Sequence, residues 1–296
     1  MAFVYVASAM AVAVAVETDN SRTGFEGFPY AGVISNRYLD DATRQQYFLY
    51  VPQHGGVNAP IFVTVHGISR NAREHAESFA SFAERHGVVL IAPYFSLERF
   101  PDYQRLGRKG KGERADLALD SIVAEVGRLT GAKIDKLFLF GYSGGAQFVH
   151  RYALAHPEHV AKIVLGASGW YTFPDPRVKY PKGIAQTKRL PGVTFNPASF
   201  LTIPTCVLVG KRDVRQDVAL NKSPKIVQQQ GATRLERGEQ WIAAMAYAAR
   251  AQGLNTSYTF QTLRRSRHSF TQSMMRGRMG EMVFDCLFGN ENERRL

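Results

Sequence analysis

A serine flanked by glycines is the residue of this chain best placed to do chemistry. The segment Gly141-Tyr142-Ser143-Gly144-Gly145 stands between an apolar, strand-like run at 136–140 and a helix-like run at 146–155. A tight turn from a strand into a helix lifts a serine hydroxyl into the open, and small neighbours let the backbone bend. The segment therefore predicts that Ser143 is a nucleophile.

A serine nucleophile needs a base within hydrogen-bond reach and an acid that orients this base. Asp213 follows the apolar run 205–209, and His268 follows the run 257–263. Both positions are strand ends, and the order serine, aspartate, histidine fits a nucleophile at such a turn. We expect His268 to be the base and Asp213 the acid. Asp217 is the alternative acid, but it lies farther from the strand end.

Two backbone amides are candidates for stabilising the negative oxygen that forms during acyl transfer. The first is the N–H of Gly144, directly after the nucleophile, and the second is the N–H of Ile68 in the segment His66-Gly67-Ile68. This segment follows the strand-like run 61–65, and its glycine allows a close backbone approach. We expect His66 to have a structural role, because the amide is the part of this turn that the chemistry uses.

The elements that must position these residues alternate along the chain. Strand-like runs occupy residues 46–51, 61–65, 88–92, 136–140, 162–165, 205–209 and 257–263, and helix-like runs occupy residues 72–85, 113–130, 146–155, 235–252 and 271–288. Alternation with unbroken apolar central strands is typical of a mostly parallel sheet with helices on both faces. The sequence therefore predicts an α/β protein whose site lies beyond the carboxyl ends of the strands.

Two stretches break this alternation. The segment 101–112 is rich in glycine and basic residues and predicts a surface loop. The segment 170–203 holds five prolines among aromatic residues, which predicts either a cap over the site or a long packed insertion. We expect an N-terminal arm with a first strand at 1–45, a first part of the core at 46–169, this insertion at 170–204, and a second part of the core at 205–296.

The chain is basic, with a formal net charge of +12 over 296 residues. This charge suits anionic surfaces or substrates, but it also fits an ordinary solvated surface, and no nucleic-acid-binding motif accompanies it. We therefore expect no nucleic-acid partner. Basic residues flank both the acid and the base, and they either point into the pocket or form a solvated rim: Lys211, Arg212, Arg215, Arg264, Arg265 and Arg267.

The N-terminal segment 2–16 is apolar or small and carries no charge. It is too short for a confident membrane-spanning helix, so we expect no stable membrane span. A signal segment is one interpretation, although a signal normally has a basic residue before its apolar run and this chain has none. A packed N-terminal strand or arm is the other interpretation. The compartment is not fixed, with the cytoplasm slightly favoured over secretion or the periplasm. Cys206 and Cys286 have neither metal-binding spacing nor the pattern of a disulfide framework.

The motifs together resemble the α/β-hydrolase superfamily and, within it, the esterases similar to polyhydroxybutyrate depolymerases. The resemblance covers about residues 46 to 288 and rests on His66-Gly67, Ala92-Pro93, the turn at Ser143, the segment 210–213 and His268. It implies a serine esterase with an acyl-enzyme intermediate, a small-molecule or short polymeric ester substrate, and no metal or organic cofactor. A thioesterase, lactonase, acyltransferase or non-catalytic binding protein is the alternative on the same fold.

Further residues are candidates for contact with the substrate. They lie beside the serine, at the end of the neighbouring strand, and directly before the histidine: Tyr142, Ser168, Trp170 and Arg267. The sequence leaves the acyl-chain length and the oligomeric state open.

Overall fold

Eight strands form a single sheet in the computed structural model, which describes residues 28–289. In chain order the strands are β1 Ser35–Tyr38, β2 Gln46–Tyr50, β3 Pro60–Val65, β4 Val89–Pro93, β5 Lys133–Tyr142, β6 Val160–Gly166, β7 Thr205–Gly210 and β8 Tyr258–Leu263. Their spatial order is β1-β2-β4-β3-β5-β6-β7-β8. The pairs β1–β2 and β2–β4 are antiparallel, and the other five pairs of this sheet are parallel. The apolar segment 2–16 lies outside the described residues.

Helices cover both faces of the sheet, as the sequence predicts. They are α1 Ala72–His86, α2 Ala115–Thr130, α3 Gly144–Ala155, α4 Pro197–Phe200, α5 Pro224–Gln230, α6 Arg234–Ala251, α7 Phe270–Gly277 and α8 Met279–Phe288. One core layer buries α2, α3 and α6 against the sheet, and the other buries α1 and α8. A parallel strand covered on both faces is apolar along its whole length, which explains the unbroken run in β3. The predicted α/β architecture is confirmed.

The C-terminal helical run divides in two. The sequence predicts one helix over 271–288, but Arg278 adopts a left-handed conformation with φ 54° and separates α7 from α8. Gly277 precedes this break and lies close to β8, since a Cβ there would come within 3.1 Å of the Leu263 side chain. The periodic apolar pattern continues through the break, so it does not reveal the change of direction.

The insertion at 170–204 packs against α3 and α6. The Thr172 amide donates to His150 Nε2 at 3.0 Å, and Arg151 Nε donates to the Thr172 hydroxyl at 2.9 Å. Trp241 Nε1 donates to the Thr172 carbonyl at 2.9 Å, and the Trp241 ring stacks on Tyr171. These contacts hold the start of the insertion on the helical layer and favour a packed insertion over a cap.

The segment 101–112 is not entirely a surface loop, in contrast to the prediction. It contains a one-turn helix at Tyr103–Arg105, and the Tyr103 side chain is fully buried. Within residues 28–289, no helix combines the length and the apolar character that crossing a membrane requires.

Candidate active site

Ser143 occupies a strained turn between β5 and α3. Its backbone has φ 54° and ψ −109°, a combination that few residues with a side chain adopt. A Cβ on Gly145 would lie 2.0 Å from the Val65 carbonyl oxygen, and a Cβ on Gly141 would lie 2.3 Å from the Gly145 backbone. Both glycines are therefore needed for α3 to approach the sheet. This approach sets the sharp turn that presents the Ser143 hydroxyl.

The structure brings Ser143, His268 and Asp213 into one hydrogen-bonded chain. Ser143 Oγ lies 3.0 Å from His268 Nε2, and His268 Nδ1 lies 2.8 Å from Asp213 Oδ2. The Asp213 side chain is 1% exposed and that of His268 is 20% exposed. When the proton of His268 is on Nδ1, this N–H donates a hydrogen bond to Asp213, and the lone pair of Nε2 faces the serine hydroxyl. The arrangement can therefore accept the serine proton.

A buried arginine supports the acid, and sequence reasoning missed it. Arg234, at the first position of α6, is 1% exposed and bonds Asp213 Oδ1 at 3.3 Å through Nη1. The same guanidinium binds both carboxylate oxygens of Asp217, at 2.8 and 3.0 Å. The hydrogen bond from Arg234 lowers the pKa of Asp217. Asp217 thus pairs with the arginine, and Asp213 is the carboxylate that contacts His268.

Arg234 leaves no signal in the sequence that could have identified it. It is 21 residues from Asp213 and 17 from Asp217 along the chain. The local pattern indicates only the start of a helix, because Thr233 and Glu236 form a capping box there.

The turn His66-Gly67-Ile68 lies against the start of α3, as the prediction for the two amides requires. A Cβ on Gly67 would lie 3.4 Å from Ser143 Cβ, and a Cβ on Gly144 would lie 3.2 Å from Ile68 Cγ2. The amide of Gly144 is in the first turn of a helix, where N–H groups have no acceptor within the helix. Gly67 therefore lies next to Ser143, and the Ile68 side chain lies next to the residue that follows the serine.

His66 holds this turn in place from within the core. It is fully buried, its Nδ1 lies 2.8 Å from the Gly67 carbonyl, and its Nε2 accepts a hydrogen bond from the Phe95 amide at 3.0 Å. Burial lowers the pKa of His66 to about 4. The Tyr103 hydroxyl donates to the His66 carbonyl at 3.0 Å from the other side. These contacts give His66 the structural role that the sequence suggests.

A cavity of about 370 Å³ opens beside the serine. The Tyr142 ring borders it and stacks on the His268 imidazole, with ring centroids 5.5 Å apart and an interplanar angle of 21°. The remaining lining comes from the turn after β3, the start of α1 and the start of α7: Gly67, Ile68, Ser69, Asn71, Glu74, Ser143, Ala219, His268, Ser269, Phe270 and Thr271. The cavity is thus shared by segments from both parts of the predicted core.

Three of the four predicted substrate contacts do not line this cavity. Ser168 is fully buried, and its hydroxyl donates to the Trp170 carbonyl at 3.1 Å. Trp170 is also buried and packs on the Arg151 guanidinium, whose Cζ is 4.3 Å from the ring centroid. Packing of the insertion on α3 therefore directs both residues into the core, in contrast to the sequence prediction. Arg267 is exposed and borders a neighbouring cleft, so only Tyr142 lines the cavity.

Comparison with solved structures identifies the architecture. No protein-family model matches the sequence, and no curated protein sequence matches it. A poly(aspartic acid) hydrolase from Sphingomonas sp. KT-1 superposes with a TM-score of 0.72 and 22% identity over 85% of this chain and 98% of that one. A poly(3-hydroxybutyrate) depolymerase from Bordetella parapertussis superposes with a TM-score of 0.69 and 25% identity over 88% and 93%.

The chain has the α/β-hydrolase fold. More distant solved structures have the same architecture. An S-formylglutathione hydrolase from Agrobacterium tumefaciens, for example, is 14% identical with a TM-score of 0.54 over 86% of this chain and 94% of that one. The similar structures are hydrolases, esterases and depolymerases. Within residues 28–289, no three histidine, cysteine, aspartate or glutamate side chains gather closely enough to hold a metal ion.

Proposed function

We propose that this protein is a serine hydrolase that cleaves carboxylic esters. One observation carries the proposal: the hydrogen-bonded chain Ser143, His268, Asp213 begins at a strained strand-to-helix turn and opens onto a cavity. Gly144 directly follows the serine and Ile68 lines the same cavity, which supports a role of their amides in holding an oxyanion. The similarity to hydrolases and esterases of the same fold supports ester hydrolysis in general.

The proposed reaction has two halves. His268 Nε2 removes the hydroxyl proton while Ser143 Oγ bonds to the ester carbonyl carbon, and the carbonyl oxygen becomes an oxyanion held by the amides of Ile68 and Gly144. Asp213 stabilises the imidazolium of His268. The intermediate then collapses, the bond to the alcohol oxygen breaks, and His268 returns the proton to the leaving alcohol. Water, deprotonated by His268, attacks the acyl-enzyme in the same way and releases the acid.

The size of the cavity bears on the substrate. A volume of about 370 Å³ is near the lower end of the range for small-molecule sites, which favours a short acyl group at the serine. The names of the similar structures refer to poly(aspartic acid), poly(3-hydroxybutyrate) and S-formylglutathione, so the fold itself does not choose among substrates. A thioesterase, a lactonase and an acyltransferase would use the same acyl-enzyme with a different leaving group or acceptor.

The test is hydrolysis of a p-nitrophenyl ester series from acetate to decanoate, together with labelling by a fluorophosphonate probe. We expect Ser143→Ala to abolish both turnover and labelling. Ser78→Ala, on the surface helix α1, is the matched control and should keep both. Turnover retained in folded Ser143→Ala would refute the proposed nucleophile. A folded wild-type protein that neither cleaves any ester nor reacts with the probe would indicate a binding protein instead.

A further inference from the structure

Helix α7 contributes to a second cleft as well as to the cavity beside Ser143. The volume of the second cleft is about 690 Å³. The loop after β7, the loop after β8 and helix α7 each contribute to it, and we call it the arginine cleft: Arg212, Arg265, Arg267, Gln272, Met275 and Arg276. Four of these six residues carry a guanidinium group, and none carries a carboxylate. The cleft is therefore a concentrated region of positive charge.

No carboxylate within residues 28–289 pairs with any of the four cleft arginines. In the part of the chain at 28–289, none of their side chains forms an ion pair or a side-chain hydrogen bond. Glu281 and Asp285 border an adjoining groove that Arg265 and Arg276 also reach, but neither carboxylate pairs with a cleft arginine.

Two arginines in other loops are each neutralised by a neighbouring carboxylate. Arg99 binds Glu113 and Arg177 binds Asp175, each through two hydrogen bonds. The cleft arginines thus differ from Arg99 and Arg177 in having no counter-charge among the described residues. An anionic ligand would supply the negative charge that these residues do not.

Hydrogen bonds connect the backbone segments that carry the arginines. The Arg267 amide donates to Gln272 Oε1 at 2.8 Å, and the Arg212 amide donates to the Ser266 carbonyl at 2.9 Å. The buried hydroxyls of Ser266 and Ser273 are 2.6 Å apart, which joins the loop after β8 to helix α7. The arginines are therefore carried by segments that hydrogen bonds hold to one another.

Residues that line the arginine cleft are next in sequence to residues of the proposed active site. Arg267 directly precedes His268, so their Cα atoms are about 3.8 Å apart. Likewise, Thr271 lines the serine cavity and its neighbour Gln272 lines the cleft. Helix α7 therefore contributes to both cavities, and a substrate that occupied both would extend from Ser143 along the first turn of α7.

We propose that the arginine cleft binds a run of carboxylates on the substrate, so that the preferred ester belongs to an oligocarboxylate chain. A guanidinium group pairs with a carboxylate through two parallel hydrogen bonds, and four guanidinium groups in a cleft of this size accommodate more than one such group. This inference rests on the proposed function, because it assigns the substrate class of the same site.

The direct test is binding of fluorescein-labelled hexaglutamate, followed by fluorescence anisotropy. Arg265→Gln combined with Arg276→Gln removes two charges from the cleft, and Arg189→Gln combined with Arg250→Gln removes two exposed charges elsewhere. We expect the first double variant to bind about three- to thirtyfold more weakly than the wild type, since exposed ion pairs contribute modestly. The second should bind within about twofold of the wild type, allowing for the small effect of net charge at moderate salt.

A kinetic arm links the cleft to the serine. Unlabelled hexaglutamate should inhibit hydrolysis of p-nitrophenyl acetate by the wild type, and the Arg265→Gln, Arg276→Gln variant should require a correspondingly higher concentration. Equal affinity of the wild type and both double variants for hexaglutamate would overturn the inference. So would a dodecathymidylate probe that binds more tightly than hexaglutamate and depends on the same two arginines, because the cleft would then be a phosphate site.

The two proposals fail separately. Absence of ester turnover with intact, arginine-dependent binding of hexaglutamate would remove the proposed function and leave a carboxylate-binding cleft without its link to catalysis. Serine-dependent turnover of neutral esters without any inhibition by hexaglutamate would keep the proposed function and remove the inference.

Discussion

The two carboxylates bound by Arg234 provide a sharp test of the proposed mechanism. Asp213→Asn and Asp217→Asn make the same chemical change within the same hydrogen-bonded group. Only Asp213 contacts His268, at 2.8 Å from Nδ1, and its side chain is 1% exposed, whereas that of Asp217 is 37% exposed. The mechanism predicts that the first substitution reduces activity severely and that the second has a small effect.

The size of the difference follows from the charge that develops on His268. With charge centres about 4 Å apart and an effective dielectric constant of about 20, a carboxylate stabilises the imidazolium by about 4 kcal/mol. Loss of this stabilisation in the transition state corresponds to about a thousandfold lower rate. The Asp217 carboxylate is partly exposed and is paired with Arg234, so we expect less than about a tenfold loss from its substitution.

The assay is kcat/KM for p-nitrophenyl acetate, measured beside the rate of labelling of Ser143 by the fluorophosphonate probe. Thermal unfolding of both variants establishes that each is folded at the assay temperature. Asp213→Asn that retains more than about a tenth of wild-type activity would refute the assignment of the acid. Equal losses in both variants would show that the pair acts only through its total charge.

Three further predictions concern the residues that support the site. Arg234→Met leaves Asp213 and Asp217 without their shared partner, so the free energy of unfolding in urea should fall by about 3–5 kcal/mol. The exposed Arg250→Met is the control, and an equally small change in both variants would contradict this prediction. Tyr103→Phe removes one hydrogen bond to the turn after β3, and should reduce stability by about 1 kcal/mol and kcat by no more than about fivefold. Exposed Tyr247→Phe is its control, and an equal effect of the two would exclude a special role. Burial lowers the pKa of His66 from 6.5 to about 4, so the unfolded chain takes up this proton first and stability should fall as the pH drops through this range. His66 accounts for about 3 kcal/mol of this loss in the free energy of unfolding. Its share of the loss should remain in His54→Gln and be absent from His66→Gln.

The fold could be predicted from the sequence because its central strands are apolar on both faces. Runs such as 61–65 and 205–209 have no other stable location than the middle of a covered sheet, and their ends locate the residues that leave it. The C-terminal run was predicted less well. Its apolar period continues from α7 into α8, while the break at Arg278 depends on the contact of Gly277 with β8. Such a contact between distant segments has no local sequence pattern.

The site shows the same division between local and distant causes. Ser143, Asp213 and His268 each follow a strand, so the direction of the sheet brings them to one edge, and this much could be predicted. Trp170 also follows a strand, yet the insertion that it begins packs on α3 and buries it. Arg234 reaches Asp213 from the first position of a helix whose sequence indicates only a capped start. Which long side chain enters the core at that point is decided by packing.

The glycines on either side of the proposed nucleophile have an evolutionary consequence. Gly141 and Gly145 have no room for a Cβ because α3 lies against the sheet, a constraint that holds whatever residue stands between them. Ser143, with φ 54° and ψ −109°, occupies a conformation that is strained for every residue with a side chain. A descendant that lost the chemistry and kept only binding would therefore retain both glycines and change the serine. The two glycines thus reflect how the helix docks on the sheet, whereas Ser143 reflects the proposed chemistry.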